Sequence, residues 1–238
     1  MKPEGPLIPE AYKFAQREAS LRASAALDLA LLPLVRPMVE FIAQLLHELP
    51  EVALSEPPTG PECRRAATFQ LTALALRSTC GVITLVEAGY ESEAHGLKRR
   101  TDECVDRAAA ITSDASGETS RQWLEGRGRG PRSMAARHDQ LEAWELFSKD
   151  AHATSFTVAH LWSPPAHIPV EPTDRALALT PSRTPFHANA LLFDCAHELG
   201  LLAGALAEVY EVTVAIPRPV GDALRSGRAW LEARRSER

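Results

Sequence analysis

The stretch 61–87 constrains the fold more than any other. Beyond Arg65 it carries apolar or small residues at almost every position, and its only charges are Arg77 and the terminal Glu87. A helix that is apolar on nearly every side must be enclosed by other elements, as the central helix of a bundle is. Its start is marked by the cluster Glu56-Pro57-Pro58-Thr59-Gly60-Pro61. Thr59 or Gly60 can cap the helix, and Pro61 suits its first turn, where a missing N–H costs nothing. Arg77, in mid-helix, needs a carboxylate partner or a route to water.

The rest of the chain has the same helical period. From 9 to 49 apolar residues recur at three- and four-residue steps, with Pro33 and Pro37 expected to split or kink the segment. After a break at Gly89-Tyr90, helices are expected over 91–112, 118–125 and 133–153, with a flexible basic loop at 126–132. The stretch 155–184 is Pro-rich and lacks a helical period, and Arg175 to Leu179 alternates in a way that suits a small hairpin. A long apolar helix follows the Thr184-Pro185 cap to about Val214, and an amphipathic one covers roughly 220–234. The expectation is an all-α bundle of about six to eight helices in a single domain, 1–238, with an irregular insert.

Composition narrows the function classes. With 26 Lys+Arg against 31 Asp+Glu, the chain's net charge of −5 argues against a dedicated DNA-coating protein. The start, Met-Lys-Pro-Glu-Gly-Pro, lacks the apolar run of a secretory signal. The most apolar window, 66–86, is interrupted by Arg77 and diluted by hydroxyl residues, so no membrane association is expected. Cys63, Cys80, Cys104 and Cys195 lie far apart without a Cys-x-x-Cys pair. They are expected to be reduced core thiols of a cytoplasmic protein, with neither metal nor other cofactor.

Two constellations stand out. On the 133–153 helix, at about 100° per residue, Leu141, Trp144, Ser148, Ala151 and His152 fall on one side. Ser148 and His152 thus share an inward face. A buried hydroxyl and imidazole need partners, which the helix's own backbone or a polar site can supply. On the 91–112 helix, Arg99 and Glu103 are spaced to pair, but the apolar stripe is Ala94, Leu97, Thr101, Cys104 and Ala108. Arg99 falls nearly opposite it, which by itself suggests a solvated ion pair. Asp194-Cys195-Ala196-His197, with Glu198 next to it, is a third and weaker cluster. It offers one acidic–His pair where a di-metal bundle would need two Glu-x-x-His motifs. The arginines around 121–137 are interleaved with acidic residues, and the hydrolase elbow and phosphate-loop motifs are missing.

Gly89, Glu93-Ala94, Leu97, Arg99 and Glu103, followed by Ser148 and His152, form a Leu-x-Arg-x-x-x-Glu helix and a later Ser-x-x-x-His helix. This pattern resembles an all-helical domain-of-unknown-function family related to the HEPN bundles, the nucleotide-binding helical domains of toxins and defence proteins. The resemblance covers about 65–160 and implies that Arg99, Glu103 and His152 face one another across the bundle. The chain departs from the HEPN ribonuclease pattern, Arg-x-x-x-x-His, because no arginine stands five residues before any of its 8 histidines.

The leading expectation is therefore an interaction or ligand-binding module with a polar site inside the bundle. It would self-associate as a homodimer or take a protein partner. The rival is an enzyme acting on RNA or a nucleotide, with His152 as general acid/base, Arg99 or Arg100 steadying phosphate charge, and Glu103 and Ser148 completing the site; a toxin or defence component is a third expectation.

Overall fold

The computed structural model describes residues 29–49, 60–88, 91–127 and 185–236. Among them stand six helices and no strand: α1 (Leu32–Glu48), α2 (Pro61–Glu87), α3 (Glu91–Thr112), α4 (Glu118–Leu124), α5 (Pro185–Tyr210) and α6 (Arg218–Ser236). The all-α expectation holds. The expected 133–153 helix and the 155–184 insert lie outside the described residues.

The local rules account for most of the boundaries. Pro33 stands at the start of α1, so it opens the helix instead of breaking it, and Pro37 is carried inside one continuous helix. Gly60 caps α2 with φ of 56°, a left-handed backbone that glycine adopts without strain. Asp114 organises the turn into α4: its carboxylate accepts the Ser116 and Thr119 N–H groups at 2.9 and 2.7 Å. The Ser116 hydroxyl and the Thr119 N–H bonds hold the carboxyl well below its ordinary range.

α5 stops at Tyr210, four residues short of the expected Val214. Glu211 takes a left-handed φ of 56°, and the chain closes with Val212 N–H on the Ala207 carbonyl and Glu211 N–H on that of Glu208. This pair of bonds is the Schellman closure, here built on a glutamate where glycine is usual.

α2 is the antiparallel partner of its neighbours. Arg64, at its start, donates to the carbonyls of Ile111 and Thr112 at the end of α3 (3.3 and 2.8 Å). Arg65 donates to the Val209 carbonyl at the end of α5 (3.2 Å), with its guanidinium 5.7 Å from the Tyr210 ring centroid. Neither α3 nor α5 has a basic residue in its own last turn. The two arginines therefore satisfy helix C-terminal carbonyls and complement the dipoles from outside. At the far end, Arg36 of α1 pairs with Glu87 of α2 at 2.6 Å.

The core fills the space between these rods with Val35, Met38 and Ile42 of α1, Leu71, Ala75 and Val82 of α2, and Leu192, Leu199, Leu202 and Leu206 of α5. Each of the Val, Leu, Ile and Met side chains among these contributes about 1.5–3 kcal/mol by burial. Asn189 is wholly buried and accepts the Leu31 N–H at 2.8 Å, tying the start of α1 to α5. Close contacts use glycine twice: a Cβ on Gly81 would lie 2.5 Å from Leu97, and one on Gly227 of α6 would lie 2.8 Å from the Phe193 ring. Arg77 is exposed, which is the route to water that its position demanded. Pro61–Glu87 and Ala188–Tyr210 are both long and apolar enough to cross a membrane by length and composition, and 44% of each such window is buried within the bundle.

Candidate polar site between α3 and α5

Among the buried polar side chains of the described residues, Lys98 is the lysine. On α3 the buried positions include Ala94, Lys98, Thr101, Cys104, Ala108 and Ile111, spaced at threes and fours. Lys98 thus lies on the core-facing stripe, and its side chain is only 4% exposed. Its ammonium donates to Asp102, one turn along α3, and to Glu198 of α5, whose side chains are 17% and 13% exposed. Cys195, fully buried one turn before Glu198, shares the electrostatic surroundings of this group. Three ionisable side chains from two helices thereby form one cluster at the α3–α5 seam.

Residue choice matters here. The chain uses 22 arginines and only 4 lysines, yet this position is a lysine. A compact ammonium with three rotatable donors can sit between two carboxyls, whereas a planar guanidinium fork needs more room. Burial alone pulls the Lys98 ammonium down, but Glu198 and Asp102 together more than reverse this and hold it charged above the ordinary lysine range. It serves as a fixed positive charge, not as a nucleophile.

Glu198 is in the opposite condition. Burial and the neighbouring Asp102 carboxyl push it well above the usual carboxylate range, and Lys98 pulls it back without offsetting them. Its Oε2 is buried and makes no hydrogen bond. An ionised oxygen in that setting is expensive, so the group retains its proton where an exposed glutamate would lose it. Burial likewise pushes the Cys195 thiol up, which keeps it un-ionised and unreactive.

Of the residues singled out from the sequence, Arg99 and Glu103 are paired at 3.0 Å, with side chains 19% and 17% exposed. The expectation of a solvated pair is corrected: both side chains are mostly buried, one position along α3 from Lys98 and Asp102. The two pairs run side by side along α3 in the basic-before-acidic order that gives little on an isolated helix, so tertiary packing is what holds them. Ser148 and His152 lie outside the described residues. Asp194 and His197 are exposed, and His197 stacks on Phe193 with centroids 6.5 Å apart. Among the described residues no group of three or more His, Cys, Asp or Glu side chains is placed to hold a metal. Cys63, Cys104 and Cys195 are buried, whereas Cys80 is exposed, which corrects its assignment to the core.

Sequence reasoning missed Lys98, Asp102 and Glu198 as a group. A signal was available: Lys98 stands four after Ala94 and three before Thr101, on the very stripe that defines the buried face. Glu198 stood out only as a neighbour of Asp194 and His197. Comparison with protein-family models, with characterised proteins and with solved structures finds no match for this chain.

Proposed function

We propose that this chain is a non-catalytic helical module that binds a ligand or partner through a polar site inside the bundle, and that it self-associates. One observation carries the reading: a charged lysine, 4% exposed, is held between carboxyls from two helices. Removing three ionisable groups from water brings no stability advantage over apolar packing of the same volume. Sites that recognise polar ligands do need such pre-positioned charges, and perturbed titratable groups cluster at them. Arg99 and Glu103, one position further along α3, add a second, partly exposed charge pair.

The test is a thermal-shift screen of the purified protein against RNA oligonucleotides, nucleotides, polyamines and small carboxylates, with light scattering for its mass. The reading expects a stabilising ligand whose effect is lost in a folded Arg99→Ala or Glu103→Gln variant, and a mass of two chains. Turnover of a nucleotide or RNA that disappears specifically in a folded His152→Ala variant overturns it.

A second reading has its own support. The resemblance to HEPN-related bundles expects Arg99 and Glu103 to turn inward, and their side chains are about four-fifths buried. Under that reading the chain acts on RNA or a nucleotide as a toxin or defence component. Growth arrest on overexpression, relieved by Arg99→Ala, would favour it over the binding module.

A further inference from the structure

We propose that Lys98, Asp102 and Glu198 form a proton-controlled latch between α3 and α5: the seam is closed while Glu198 carries a proton and loosens when that proton leaves. The geometry sets this up. One buried ammonium faces two carboxyls, so a single positive charge is matched against two groups that can each be negative. With Glu198 protonated the cluster is neutral. With Glu198 ionised it carries a net negative charge, and the buried Oε2 has no donor to accept from. This device stands whether or not the seam takes a ligand.

Among the described residues, no second cation is bonded to Glu198 to offset the extra charge. On α3 the cluster has Lys98 and Asp102, the buried His95 one turn before Lys98, and Cys104, whose thiol feels Arg107 and Arg100 as well as Glu198; on α5 it has the buried Cys195 and, nearer solvent, Asp194. His197 acts on Asp194 but is exposed. Arg77 of α2 is exposed as well. α1 sets Met38 against Gly200, and α6 sets Gly227 against Phe193; both contacts are apolar. Lys98 is the cation in direct hydrogen-bond contact with Glu198.

The direction follows from linkage. A carboxyl whose folded-state affinity for protons exceeds that of the open state gives up a proton on opening. Stability of the seam is then fully present below the ordinary glutamate range and is lost as pH rises toward the folded-state value. Over that window opening increases by about tenfold per pH unit, one proton being released per opening event.

Cys195 reports the opening. It is fully buried at the seam, one turn from Glu198. Labelling of Cys195 by a neutral alkylating reagent is to be followed by peptide mass spectrometry between about pH 5 and pH 8. Cys63 serves as the internal reference for the general rise in thiolate with pH. The expected result is that the Cys195-to-Cys63 labelling ratio climbs with pH in the wild type and stays flat in Glu198→Gln, which fixes the neutral form. An equal pH dependence in both overturns the proposal. Carboxyl carbon-13 resonances of the unaltered protein give a check that needs no variant. One glutamate signal titrating above the ordinary carboxylate range, and assigned to Glu198, supports the latch; a Glu198 signal that titrates with the exposed glutamates overturns it.

Discussion

Lys98 of α3 and Glu198 of α5, 100 positions apart in the chain, meet inside the bundle, where the Lys98 ammonium donates to the Glu198 carboxyl. Removing the ammonium leaves the Asp102 and Glu198 carboxyls together in the interior without the cation that both of them contact. Lys98→Met is expected to lower unfolding stability by about 3–5 kcal/mol, measured by urea denaturation at neutral pH. Lys98→Arg keeps the charge but overfills the gap, and should still cost about 1–3 kcal/mol.

The end of α5 carries a correctable strain. Glu211 holds the left-handed conformation of the Schellman closure, which costs an L-residue about 1 kcal/mol. Glu211→Gly is expected to raise the thermal midpoint, and Glu211→Val to lower it, in parallel melts followed by circular dichroism.

Not all arginine contacts weigh equally. Arg36 pairs with Glu87 where both side chains are largely in water, so Arg36→Ala should change stability by less than about 1 kcal/mol. Arg65 packs on Tyr210 and satisfies a carbonyl at the end of α5. Arg65→Ala should cost about 1–2 kcal/mol and speed hydrogen exchange in the last turn of α5.

Thiol chemistry separates the cysteines by burial. Under native conditions a thiol reagent should modify Cys80 first, while Cys63, Cys104 and Cys195 wait for opening. Burial pushes the Cys104 thiol up to about 12, from an ordinary value of 9.0. The unfolded chain therefore loses this proton first, and stability should fall as pH rises from about 9 toward 12. An alkaline series of urea midpoints checks it, with Cys104→Ala expected to flatten the slope.

The sequence carried the fold well because its signals are local. Gly60 and Pro61 opened α2, and the period of α3 and the extent of α4 came directly from residue spacing. The end of α5 was not legible, since nothing in Glu211 announces a left-handed turn and the apolar pattern continues through Val212 and Val214. The site was half legible. Arg99 and Glu103 were recognised as a pair by spacing, but how deeply they sit depends on what packs beside α3. The partnership of Lys98 with Glu198 is a long-range contact that no helical period encodes. Its only local trace is a lysine on an apolar stripe.

The most direct measurement is a double-mutant cycle on Lys98→Met and Glu198→Leu, with unfolding free energies from urea at neutral pH. A buried pair across the α3–α5 seam predicts that the double variant recovers much of the loss from Lys98→Met, with a coupling of about 1.5 kcal/mol or more. Single-variant effects that add to within about 0.5 kcal/mol would mean that the two side chains do not meet, and the polar site would go with them.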